Sequence, residues 1–245
     1  MPNVTHLLVD EDGFRIRGTE VSRVEAFSDV VFGFAVTLLV VSLEVPKTYS
    51  ELRGILVGFA PFAISFAILS RIWLDHYRFF RRFGLHNLIT IRINAVLLFV
   101  LLFYIYPLKF LFTIAVPALD ASRPSPFSGA WQIRELMVMY GVGFAAIYGL
   151  IALLNYQGWR HREQLKLTPI EEMLTRSYMI DTSISALIGL LSCVVACILP
   201  PADAGYAGFT FLLIYFHKSF NTRRFKRKIR LLRELDERLE AADQT

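Results

Sequence analysis

Two cysteines in 245 residues are too few for a disulfide framework or a complete metal site. Cys193 and Cys197 stand four apart in an apolar run, on one face of a helix, where packing is the role expected of them. No His-x-x-x-His pair, no paired acids within an apolar run and no Ser–His constellation is present, so an enzyme is not expected. Met1 to Arg17 is polar and acidic and lacks an apolar h-region, so no cleavable signal peptide is expected. Ionisable residues are also scarce at the centres of the apolar runs. A coupled carrier wants them there, or a broken helix. Asp181 is the nearest candidate, and it falls toward one end of its run.

Apolar residues are what the chain has in quantity. They make up 55% of it, with 21 Phe and a mean hydropathy of +0.48. They fall in blocks long enough to span a bilayer, which argues against a soluble helical domain. Six spans are expected: Val24 to Val45, Leu52 to Leu74, Leu88 to Ala115, Leu136 to Leu154, Leu174 to Leu199 and Tyr206 to Phe220. Pro46 stops the first and Pro200-Pro201 the fifth. The sixth is short, about 15 residues against the usual ~17–25, with Ala204 and Gly205 available to extend it.

Positive charge orients the spans. Arg15 and Arg17 precede the first, Arg78, Arg81 and Arg82 follow the second, and Arg160, Arg162, Lys166 and Arg176 lie between the fourth and fifth. Arg223, Arg224, Lys226, Arg227, Lys228 and Arg230 follow the sixth, while the alternate connections are poorer. Both termini are therefore expected in the cytoplasm of a multi-pass cell-membrane protein. The net charge of +5 is accounted for by these flanking loops. Membrane lipids, and not nucleic acid, are the expected contacts. The chain divides into a cytoplasmic segment 1–22, a membrane domain 23–220 and a charged amphipathic helix 221–245. That last helix carries Phe225, Ile229, Leu232, Leu235 and Leu239 on one stripe.

One stretch stands out against this background: Arg23-Val24-Glu25-Ala26-Phe27-Ser28-Asp29 opens the first span. A carboxylate within a span costs about 2.5–3.5 kcal/mol, so Asp29 needs a partner. His76, at the end of the second span, is placed to bond Asp29, and Arg23 to bridge to either; Asn94 and Arg92 are further polar groups at that depth. On a helical wheel Phe27, Phe34, Leu38 and Val41 share a narrow face, with Val30, Val31 and Thr37 beside it. Asp29 points about 140° from Phe34. Such a stripe either packs or meets lipid, or forms a hydrophobic constriction that gates by dewetting. Tyr140-Gly141-Val142-Gly143-Phe144 imitates a carbonyl-lined filter, but it lies inside a continuous span and is expected to serve close helix packing.

Arg23, Phe27, Ser28 and Asp29, continuing as Val31-Phe32 and Thr37-Leu38-Leu39, resemble the signature of the transmembrane protein 175 family of cation channels. Trp73, His76, Asn94 and Pro107 extend the resemblance over roughly residues 20 to 110. It implies an all-α, six-span subunit whose first helix lines a central pore. A single copy of the signature resembles the prokaryotic type, which assembles as a homotetramer. The resemblance gives Arg23, Ser28, Asp29 and His76 a structural role, a network holding the pore helix, with Phe27, Trp73 and Asn94 matching beside them. It gives Phe34, Leu38 and Val41 the constriction and Thr37 a hydroxyl beside the ion path. Phe34 stands where the family usually has isoleucine, and a ring of four phenyl groups is bulkier. The implied activity is passage of potassium or other monovalent cations, with no cofactor. The alternatives are a non-conducting protein of the same fold, for which Phe34 argues, and a proton-coupled transporter.

Overall fold

The computed structural model describes residues 8–40, 47–115 and 127–217. Five α-helices follow in order: α1 (Arg23–Val40), α2 (Tyr49–Phe83), α3 (Leu88–Ala115), α4 (Ala130–Arg160) and α5 (Pro169–Ile198). A 3-10 segment, Pro201–Phe211, then runs into a helical turn at 212–217. Among the described residues the one β pairing is an isolated bridge between Val9 and Arg15. The protein is all-helical. Leu88–Leu111 of α3, α4 and α5 are each long and apolar enough to cross a membrane, as a multi-pass protein requires. The described part of α1 carries Arg23, Glu25 and Asp29 in its first two turns. Val41 and residues 221–245 lie outside the described residues.

Local chemistry sets the helix ends. α2 does not stop at Leu74. It continues to Phe83 because Phe79, Phe80 and Phe83 extend its buried stripe, and the arginines between them reach polar partners. Gly84 then ends it at φ +57, a conformation that other residues resist, with its N–H on the Phe80 carbonyl. Asn87 opens α3 by accepting from the Thr90 N–H at 2.9 Å. Thr168 and Glu171 close a capping box at α5, with Pro169 behind the cap. The last segment starts at Pro201, not Tyr206. Ala204 and Ala207 are fully buried there, and Ser192 of α5 donates to the Ala207 carbonyl at 3.1 Å.

The closest helix contact is between α4 and α5. A Cβ at Gly141 would come 2.5 Å from the Cys193 sulfur and 2.8 Å from the Gly189 carbonyl. A Cβ at Gly189 would meet the Gly141 carbonyl at 2.9 Å. Gly141 and Gly189 let two backbones touch here, whereas Gly143 lies against the Tyr104 ring of α3. α1 lies against α2 and α3. Ser28, Phe32, Ala35 and Leu39, spaced four, three and four, turn into the core. Near its far end Lys109 of α3 donates to the Leu39 carbonyl at 2.8 Å.

Candidate functional site

The site is α1 and what holds it. Ser22 and Glu25 form a reciprocal cap: the Ser22 N–H reaches Glu25 Oε2 at 2.8 Å, and the Glu25 N–H reaches Ser22 Oγ at 3.2 Å. That arrangement answers two of the donors that a helix start leaves open, and it explains a buried glutamate. One turn on, Ser28 Oγ donates to the Val24 carbonyl at 2.7 Å. It accepts from Asn94 Nδ2 of α3 at 2.9 Å. The Asn94 oxygen is left facing His76 Nε2 of α2, 2.8 Å away, so that nitrogen carries the ring proton. Ser28, Asn94 and His76 are all buried, and the imidazole packs on Phe32 and Phe80 with centroids 5.5 and 4.8 Å apart. This relay ties three helices at one level.

Asp29 is held differently from the expectation. It accepts from the Trp73 indole N–H at 2.9 Å, and His76 is engaged with Asn94 instead. The reason is azimuthal. Ser28 and Asp29 are about 100° apart on α1, and only Ser28 faces the gap between α2 and α3. Trp73 sits three residues before His76 on α2, at the edge of that gap, and stacks on Tyr77 with centroids 5.5 Å apart. Arg23 is exposed and makes no hydrogen bond or ion pair among the described residues, so it bridges neither group within the subunit.

The opposite face of α1 is open. Phe27, Val30 and Phe34 are 61%, 70% and 55% exposed, and Thr37 is exposed with its hydroxyl donating to the Gly33 carbonyl at 3.0 Å. Leu38 is partly buried and leans on the core, at the margin of the open stripe. The stripe therefore centres on Phe27, Val30, Phe34 and Thr37, with Arg23 at its start. Among the described residues no three His, Cys, Asp or Glu side chains converge as a metal would require. Asp181 pairs with His217 of the last segment, Nε2 to Oδ1 2.8 Å. A cleft between α2, α4 and α5, lined by Asp75, Arg82, Asn155 and Tyr178, has about the volume of one water at roughly 20 Å³.

Two features here were not singled out by sequence reasoning. Ser22-x-x-Glu25 has the spacing of a capping box and is recognisable from that alone. Residues 8–20 cross the ends of α2 and α5, and Asp12 there meets Tyr178 and Arg82. Burial by itself would raise the Asp12 carboxyl. Hydrogen bonds from Tyr178 and Arg82, and the charges of Arg82 and Arg78, outweigh that and hold it below the usual range. No periodicity announced this segment, since its contacts run from position 12 to position 178.

Residues 23–104 match the model of the endosomal/lysosomal potassium channel TMEM175. A potassium channel of Marivirga tractuosa is 37% identical over 76% of this chain and 79% of its own length. A crystal structure of the potassium channel MtTMEM175, an alanine-for-threonine variant bound to a nanobody fusion, superposes with a TM-score of 0.75. It is 31% identical and covers 89% of this chain and 100% of that one. A TMEM175 homologue from Chamaesiphon minutus shares the fold alone, at TM-score 0.53 and 23% identity over 81% of this chain and 96% of that one. With a signature helix, a buried relay behind it and relatives matched over most of their length, this chain belongs to the TMEM175 family.

Proposed function

We propose that this chain is the subunit of a homotetrameric channel passing potassium and other monovalent cations, with α1 of each copy facing a shared axis. The observation that carries the reading is the asymmetry of α1: one face is fixed to the subunit by a buried polar relay, and the other presents Phe27, Val30, Phe34 and Thr37 outward. Support also comes from the relatives, whose names describe potassium channels. In the assembly Phe34, with Leu38 at its margin and Val41 beyond, forms the hydrophobic neck. Thr37 offers oxygen to a partly dehydrated ion. Arg23, unpaired among the described residues, lies at the cytoplasmic mouth. Six spans with both termini in the cytoplasm, in the cell membrane, complete the proposal.

Purified protein in potassium-loaded liposomes tests it. The gradient is expected to collapse once a proton ionophore balances the charge. No flux at any voltage or pH overturns conduction and favours a non-conducting member of the fold, in which four phenyl rings shut the axis.

A further inference from the structure

Residues 8–20 are densely hydrogen-bonded to α2 and α5, and the relay behind α1 does not use them. Phe14 is fully buried, edge-on to Phe83 of α2 at 5.4 Å, with the Arg17 and Arg82 guanidiniums 5.5 and 5.1 Å from its ring centre. On one side buried Arg82 donates to Asp10 at 2.7 Å and to Asp12 at 2.5 Å, and Tyr178 of α5 donates to Asp12 at 2.8 Å. On the other side Glu171 of α5, 1% exposed, accepts from the Arg15 main chain at 2.9 Å, Arg15 Nε at 3.0 Å and Arg17 Nη2 at 2.8 Å. Arg15 and Arg17 reach on to the Lys166 and Leu165 carbonyls in the α4–α5 loop.

From this clasp the chain crosses the end of α2 in close contact. The Arg17 and Gly18 N–H groups both donate to the Arg81 carbonyl, at 3.1 and 3.0 Å, and Arg81 donates back to the Gly18 carbonyl. A Cβ at Gly18 would lie 2.5 Å from the Phe80 carbonyl oxygen, so the two backbones are in contact. Ser22, the cap of α1, follows four residues later, a reach of at most about 14 Å. Only this short connection separates the clasp from the helix.

We propose that this segment is a tether, in which Glu171 and Arg82 act as positioning residues that fix the N-terminal end of α1 to the base made by α2 and α5. Displacing that end of α1 then requires the clasp to release. The further consequence, that the tether sets how readily the path opens, rests on α1 lining a pore; the mechanical coupling does not.

Hydrogen exchange on the full chain, wild type against Arg15→Gln/Arg17→Gln and against Glu171→Gln, reads the coupling directly. Both variants leave the apolar core untouched, and glutamine at 171 retains an oxygen for the α5 cap. The expected result is exchange about tenfold faster over residues 19–30, with α3, α4 and α5 unchanged. In planar bilayers the open fraction is expected to shift while unitary conductance stays constant. Acceleration confined to residues 8–20, or spread equally over every helix, overturns the tether. A changed conductance with an unchanged open fraction overturns its role in opening. If the wild type passes no current the channel reading fails, and the exchange measurement still decides the tether.

Discussion

Asn94 holds the centre of the relay, and its removal tests the relay most sharply. Asn94→Ala leaves the buried His76 donor without a partner and the buried Ser28 hydroxyl with only its bond to the Val24 carbonyl, at a cost of about 1–3 kcal/mol for the donor left unsatisfied. Thermal unfolding in detergent should show the loss. Trp73→Phe removes only a partly exposed donor from Asp29 and should cost less, about 0.5–1.5 kcal/mol. On the open face, Phe34→Ala should leave stability nearly unchanged and raise the liposome leak, measured as potassium efflux. An unchanged leak would move the neck to another face. At this scale the sequence brought Ser28, Asp29, His76 and Asn94 to one depth, missed their pairings, and included Arg23, which bonds to none of them. The spacing of Phe27, Phe34 and Thr37 gives a face of one helix, but it carries no information on how α2 and α3 are rotated against it. For that reason Asp29 and His76, close in depth, have different partners.

Capping and close backbone contact decide the elements. Thr168→Ala opens the α5 capping box and should cost about 1 kcal/mol by the same unfolding measurement, more if the clasp on Glu171 loosens with it. Gly189→Val places two methyl groups where the Gly141 carbonyl already lies within 2.9 Å of a Cβ, and it should destabilise by about 1–3 kcal/mol or prevent folding. The Asp12 carboxyl, held below its ordinary range, contributes its stability above the unfolded value near pH 4, and loses it as pH falls through the depressed one. Exchange protection of residues 10–18 should therefore persist at pH 5 and fade only in stronger acid. Fading already at pH 6 would point to another group. Apolar runs made the helices legible, because burial and period agree over 18 or more residues. Their ends were less so: Phe79, Phe80 and Phe83 extend α2 past its apolar block, and the 3-10 segment at Pro201 follows from packing of Ala204 and Ala207 that hydropathy does not record.

On the scale of the whole molecule, one face of α1 is left open, and in the proposed channel that face meets the other copies. A mass measurement in detergent should give four times the 28.0 kDa of the chain. A monomer at working concentration would remove the shared axis. Fold class and family were legible early because both rest on features repeated along the chain or ordered within a short motif. The clasp of residues 8–20 was not, because its partners are brought together only by the finished fold.

Lys109, bonded to the Leu39 carbonyl, gives the C-terminal half of α1 a fixed point, as the capping box and the relay do for the other half. A rod clamped near both ends bows most at its midpoint. On α1 that midpoint falls around Gly33, where a Cβ would touch nothing within 4 Å. In the channel proposed above, a change in the bore is then expected beside Phe34, through bending of α1 at its middle.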